Sequence, residues 1–275
     1  MASQDDFEKR TYNYLRLAMI GVLIMLAVAV LREHWKTASD CWQGSISAYY
    51  YTPVHAVFIG SLVTIGICMI VLKGATTFKD VLLNLGGLLA PVVAFVPTPN
   101  AGSCWSEAVV SRNAEPDVSN NMLAYFVAGG LALLASAYIG LTSKKKWDWK
   151  QVVGLATSVL LWLAGIIWFA TSRDAFVGNA HYTAAVLLFA VFIVIVFLST
   201  RGQRNLPATR APERKVFTGA YGGIAIAMCI CLAIGLIWRS SAILVVETLL
   251  LVLFVLYWVL RTAEQWRAGA ESTES

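Results

Sequence analysis

Long apolar runs alternate with short polar or charged stretches along this chain, and eight of the runs have the length of a bilayer crossing. They fall near Asn13–Leu31, Pro53–Leu72, Asp80–Val96, Asn121–Leu141, Val152–Ala170, His181–Ser199, Val216–Trp238 and Ser240–Leu260. About 20 apolar residues in a helix cross the ~30 Å hydrocarbon core, and a helix satisfies its own backbone hydrogen bonds there. The pattern predicts an all-α fold, a polytopic transmembrane helical bundle of eight spans that forms a single membrane domain over 1–275. Only Arg239, Ser240 and Ser241 part the last two runs. Together these runs exceed about 40 residues, too long for one tilted helix, so a tight reversal is predicted. The first run follows a basic N-terminus and contains Ala27-Val28-Ala29. That arrangement also suits a cleaved signal peptide, which would leave seven spans, although a run of this length reads first as a retained anchor.

Composition agrees, with 58% hydrophobic residues against 13% charged, far from the soluble average. A net charge of +5 would elsewhere suggest nucleic acid, but here the basic residues gather between spans, and no nucleic-acid partner is read. With the N-terminus in the cytoplasm, sixteen of the 21 Lys and Arg residues fall on the inner side. Two loops dominate: 143–151, with Lys144, Lys145, Lys146 and Lys150, and 200–215, with Arg201, Arg204, Arg210, Arg214 and Lys215. Only Arg32, Lys36, Arg112, Arg173 and Arg239 fall outside. This bias predicts a plasma (cytoplasmic) membrane protein with both termini cytoplasmic and with 32–52 and 97–120 as outer loops. The tryptophans follow the same frame: Trp35, Trp42, Trp105, Trp168 and Trp238 lie near the outer boundary and Trp147, Trp149, Trp258 and Trp266 near the inner one. Indole rings favour the headgroup level. Trp162 alone sits mid-span. The basic loops read first as ordinary topogenic charge, with anionic lipid or a cytoplasmic partner as the alternative.

The first outer loop ends in the most chemically varied stretch of the chain, Asp40-Cys41-Trp42-Gln43-Gly44-Ser45-Ile46-Ser47-Ala48-Tyr49-Tyr50-Tyr51-Thr52-Pro53-Val54-His55. It reads as a lid over the outer face of the bundle. Cys41 and Cys104 stand in the two longest outer loops, each followed by tryptophan. On the oxidising side of the membrane they are expected to pair and clamp one loop to the other. Cys68, Cys229 and Cys231 lie within spans and read as packing residues.

All three histidines are on the outer side: His34 past the first span, His55 near the start of the second and His181 at the start of the sixth. Glu247 lies seven residues into the last span, about 10 Å below its outer end. A carboxylate at that depth is costly unless it is paired, protonated or beside water, which makes it a functional candidate. By depth its partners are His55, His181 and Tyr50, with Arg173 or Arg239 reaching from the rim. Two readings compete. In one, Tyr50, His55, His181 and Glu247, joined by Asp40 or Asp174, line an outward cavity that binds a polar headgroup, a proton or a metal ion. In the other, Glu247 is an interhelical hydrogen-bonded pin and the histidines are interfacial residues. No two histidines share metal-ligand helical spacing, so no metal is assigned. Ser45 and Ser47 lack the glycine-flanked elbow of a hydrolase nucleophile, and no nucleotide-binding glycine loop is present; no cofactor is implied. Asn84, Gly86-Gly87 and Pro91 in the third span and Gly219 with Gly223 in the seventh suit close helix contact and a kink.

The stretch Ser45-Ile46-Ser47-Ala48-Tyr49-Tyr50-Tyr51-Thr52-Pro53-Val54, continuing through Phe58-Ile59-Gly60 to Lys73-Gly74, resembles a family of small bacterial multi-span membrane proteins of uncharacterised function. The resemblance extends loosely to His181 and to Val246-Glu247, and it implies a membrane bundle with no assigned activity. The chain is similar in part to the CREST-type membrane hydrolases, which use outward histidines and an aspartate around zinc; their paired histidine motif near the C-terminus is missing here.

These readings give a multi-pass protein whose outward cavity recognises a lipid or small ligand without catalysis, with membrane lipids as its partners. The alternatives are a metal-dependent intramembrane hydrolase or transferase acting on lipid, and a proton-coupled transporter using Glu247. Alkylation of the unreduced protein should leave Cys41 and Cys104 unlabelled while the span cysteines react after denaturation. Labelling at both loop positions would overturn the pairing.

Overall fold

In a computed structural model of the chain, residues 4–36, 41–98, 114–143, 147–204, 211–237 and 243–271 are described. Eight α-helices run in order: α1 (Gln4–Lys36), α2 (His55–Val71), α3 (Thr77–Phe95), α4 (Ala114–Thr142), α5 (Trp149–Thr171), α6 (Arg173–Arg204), α7 (Ala211–Ile237) and α8 (Ile243–Glu271). Among the described residues there are no strands. Seven of the helices are long and apolar enough to cross a membrane, and α2, with 17 residues, is shorter. A 3-10 turn, Ser47–Tyr51, precedes α2. Most helices extend beyond the predicted spans at one or both ends, because polar residues at helix ends need not stop a helix, whereas α2 is shorter than the predicted Pro53–Leu72 run. The consequence is largest at α6, which starts at Arg173, so that His181 lies two turns inside the helix and not at its beginning.

Six helices close into a ring in which α1 packs on α2, α2 on α3, α3 on α6, α6 on α7, α7 on α8 and α8 back on α1. If each helix crosses once, neighbours around this ring are antiparallel throughout. The hairpin of α4 and α5 lies outside the ring against α3 and α6. Its outward residues, among them Leu131, Leu134, Ile139, Leu160 and Ile167, are exposed, as a lipid-facing surface requires. The first helix is a full member of the ring: Met19, Leu23, Leu26 and Val30 are buried, and the Ser61 hydroxyl donates to the Val22 carbonyl at 3.0 Å. The last two runs form separate helices packed on each other, as the predicted reversal requires. Residues 238–242 between them lie outside the described residues.

The tightest crossing is between α2 and α3. Pro91 has no N–H to offer the Gly87 carbonyl one turn earlier, and that freed oxygen lies against Gly66 of α2. A Cβ on Gly66 would stand 2.8 Å from it, and a Cβ on Gly87 would meet the Gly66 carbonyl at 2.6 Å. Small residues let the two backbones touch. Gly219 and Gly223 differ from expectation, since among the described residues nothing lies within 4 Å of an added Cβ at either. Trp258 also departs from the interfacial belt. It is 3% exposed and packs with Phe192, Phe254 and Tyr257 inside the ring. Mid-span Trp162 ties the outer hairpin together by donating Nε1–H to the Phe126 carbonyl at 3.1 Å, its ring over Gly129 and Gly130.

Replacing Gly66 by alanine should lower stability by about 1–3 kcal/mol, the usual cost of overpacking, whereas Gly223→Ala should stay within about 0.5 kcal/mol. Unfolding in mild detergent compares the two; equal effects would sink the crossing argument.

Candidate functional site

The site begins with the 3-10 turn at one end of the ring, called here the lid end. Ser45 starts the turn by accepting the Ala48 N–H on Oγ at 2.9 Å, the short-range bonding that serine favours in loops. Thr52 ends it, donating its hydroxyl to the Tyr49 carbonyl at 2.7 Å and accepting the Val54 N–H at 3.2 Å. The Tyr51 hydroxyl donates to the Thr98 carbonyl at 2.8 Å, which fastens the turn to the end of α3. Burial raises the Tyr49 and Tyr51 phenols above their usual range, so both stay neutral hydrogen-bonding groups.

The contact that holds the turn in place comes from the far end of the sequence. Glu247 Oε2 accepts the backbone N–H of Ile46 at 2.6 Å and of Ser47 at 3.3 Å, while Oε1 accepts the Ser47 hydroxyl at 3.2 Å. The first amides of a helical turn lack intrahelical acceptors, and a carboxyl group supplies them. Each such bond contributes about 0.5–1.5 kcal/mol, and more where the acceptor is charged.

Below the lid lies a cavity of about 300 Å³, walled by α1, α2, α3, α6, α7 and α8. Its wall is apolar, with Leu26, Leu62, Phe189, Leu232 and Leu251, except at the lid end, where Ser45, Ser47, Thr98, His181, Tyr182 and Glu247 face it. Phe192 and Phe254, with ring centroids 4.5 Å apart, line its deep end. The His181 ring is fixed by Nδ1–H, which donates to the carbonyls of Val96 at 2.7 Å and Val93 at 3.1 Å. Two carbonyl acceptors require the proton on Nδ1, and Nε2 is then an acceptor.

The four site residues expected from the sequence are therefore divided. His181 and Glu247 share the cavity wall, whereas Tyr50 and His55 are not on it. The turn carries Tyr50 inward, where its ring meets those of His55, Tyr51 and Phe58 edge-on. His55 Nδ1–H donates to the Tyr50 carbonyl at 2.8 Å, so both residues brace the lid from behind. Arg173 does not reach Glu247; it bonds Ser119 on α4 and covers the Phe169 ring at 4.7 Å. Asp40, Cys104 and Arg239 lie outside the described residues. Cys68, Cys229 and Cys231 are free thiols, and the expected Cys41–Cys104 pairing lies outside the described residues. Among the described residues no three His, Cys, Asp or Glu side chains come together as a metal site.

At the opposite end of the ring is a polar cluster that sequence reasoning did not identify. Arg16 and Lys79, two of the sixteen basic residues counted on the inner side, are 4% and 6% exposed. Arg16 bonds Asn13 at 3.1 Å and also Gln265 of α8. Lys79 Nζ–H donates to Ser199 Oγ at 2.6 Å, and Ser199 shares a 3.0 Å hydrogen bond with the Tyr257 hydroxyl. Glu264 accepts from Arg261 and from the Tyr221 hydroxyl, both at 2.6 Å. The available signal was position: Arg16 lies inside the first predicted span, where an ionisable residue is a functional candidate.

Seven helices long and apolar enough to cross a bilayer define the class: the chain is a multi-pass α-helical membrane protein. No family model, curated protein or solved structure matches it.

Exchange of Glu247 for leucine should strip the Ile46 and Ser47 amides of their acceptors, raising hydrogen exchange across residues 43–52 by about tenfold to a hundredfold. Glutamine, which keeps one acceptor oxygen, should fall between. Unaltered protection in both variants would show that the lid is held by something else.

Proposed function

We propose that this protein binds a lipid or small amphiphilic ligand, without catalysis, in the cavity beneath the lid. One observation carries the reading: the cavity wall is apolar along its length and polar at one end, where Glu247, His181 and Ser47 stand together. An apolar chain suits the first part and a hydrogen-bonding head the second. Ligand sites combine a mostly apolar lining with a few placed polar groups in this way. Membrane lipids, already in contact with the bundle, are the natural source of such a molecule.

The charge bias of the loops supports a plasma-membrane orientation with both termini cytoplasmic and the lid outside. Cys41 and Cys104 then stand on the oxidising side, which supports a bridge between the outer loops. The Ser45–Val54 stretch supports kinship with the small bacterial multi-span proteins that it resembles, and it brings no activity with it. Proton-coupled transport is the second reading, favoured by Glu247 acting at once as wall residue and lid anchor. A proton gained there would weaken its hold on the lid.

Mass spectrometry of the protein released from mild detergent should find a retained amphiphile. Ala185→Trp, which fills the cavity wall, should abolish that retention while the protein still folds. If wild type and variant carry the same lipids in the same amounts, the binding reading fails. For transport, the deciding result is loss of pH-dependent uptake into vesicles on Glu247→Gln.

A further inference from the structure

The polar groups at the lid end of the cavity are set to accept hydrogen bonds. Ser47 donates its hydroxyl proton to Glu247 Oε1 at 3.2 Å, so in the 3.1 Å bond between the two serine hydroxyls Ser45 is the donor and Ser47 the acceptor. Both side-chain protons therefore run toward the carboxyl group, and Ser45 Oγ in turn accepts the Ala48 N–H. The Ile46 and Ser47 amides also end on Glu247, at Oε2. A carboxylate accepts about four hydrogen bonds. Oε2 takes two and Oε1 one, so Oε1 keeps a lone pair.

His181 completes the pattern. Its Nδ1–H lies between the Val93 and Val96 carbonyls, which leaves Nε2 as an acceptor, and the residue is 6% exposed. Among the described residues nothing bonds Nε2, and no hydrogen bond joins His181 to Glu247 although both stand on the same wall. Thr98 and Tyr182 bring hydroxyls to the cavity, which serve in either role. Among the described residues no lysine, arginine, asparagine, glutamine or tryptophan lines it, and Glu247 is the one carboxyl group that does.

Resting on the reading that this cavity holds an amphiphile, we propose that the head of that ligand is a primary or secondary ammonium group. Its N–H groups end on Glu247 Oε1 and His181 Nε2, and its charge lies against the carboxylate. An ammonium carries donors and no acceptor, the complement of a wall that accepts, and hydrogen bonds between charged partners are the stronger ones. A phosphate or carboxylate head meets Glu247 as a like charge. A quaternary ammonium has the charge without the N–H and leaves both acceptors unmet.

Thermal unfolding of the full chain in a nonionic detergent at neutral pH compares three heads on one tail: octylamine, protonated there as a lysine side chain is, octyltrimethylammonium and octanoate. Octylamine should stabilise the wild type with a half-saturating concentration at least about tenfold below that of either other probe, the effect of one charge-assisted contact. Ala185→Trp, which fills the cavity wall, should abolish the response, and Glu247→Gln should bring octylamine to the level of octyltrimethylammonium. The wild-type ranking decides alone if a variant fails to fold. If octanoate or octyltrimethylammonium stabilises as well as octylamine, or if folded Glu247→Gln keeps the preference, the head is not an ammonium, while binding of an amphiphile stands. A preference retained in folded Ala185→Trp puts the amine outside the cavity and likewise overturns the assignment. If none of the three stabilises the protein beyond detergent alone, the cavity reading itself fails and the ammonium head with it.

Discussion

A single carboxyl group joins the two ends of the chain. Glu247, in the first turns of the last helix, receives the amides of Ile46 and Ser47, about two hundred residues earlier. Burying such a group is costly, and three hydrogen bonds from one short segment offset the cost. Because the same residue forms part of the cavity wall, the lid and the space below it are mechanically coupled. Whatever competes for Glu247 competes with the backbone of the lid.

The ring needs this link because its first and last helices are neighbours without a loop between them. Apolar packing alone is weak specification in a bilayer, where lipid tails are as apolar as leucine. Polar contacts tie α8 at both of its ends: Glu247 to Ile46 and Ser47 of the turn before α2 at the lid end, Gln265 to Arg16 of α1 at the other. Elsewhere the helices rely on small residues, as at Gly66 and Gly87, where the carbonyl released by Pro91 needs a neighbour without a side chain. The outer hairpin is held more lightly, by Trp162 to Phe126 and Tyr125 to the Leu88 carbonyl.

The two ends differ in chemistry. The lid end presents an acid, an imidazole and hydroxyls to an apolar space; the opposite end gathers Arg16, Lys79 and Arg261 among Glu264, amides and hydroxyls. An aromatic layer lies between them.

From the residues in order, the helices and their number were legible, because a bilayer imposes a minimum apolar length and forbids unpaired backbone. Glu247 was legible as a singular residue for the same reason: a carboxyl group within an apolar run stands out whatever surrounds it. Its partners were not. Depth along a helix pointed to His55, Tyr50 and Arg173, but depth carries no information about rotation around the bundle, and the turn at Ser47–Tyr51 set Tyr50 and His55 behind the lid. Arg16 and Lys79 entered the sequence reading only as inner-side charge, because a count along the chain says nothing of what a helix end packs against. Only the closing of α1 against α8, beside α3, brought them into a shared interior, since which helices become neighbours depends on packing across the whole ring and is written in no single stretch of the chain.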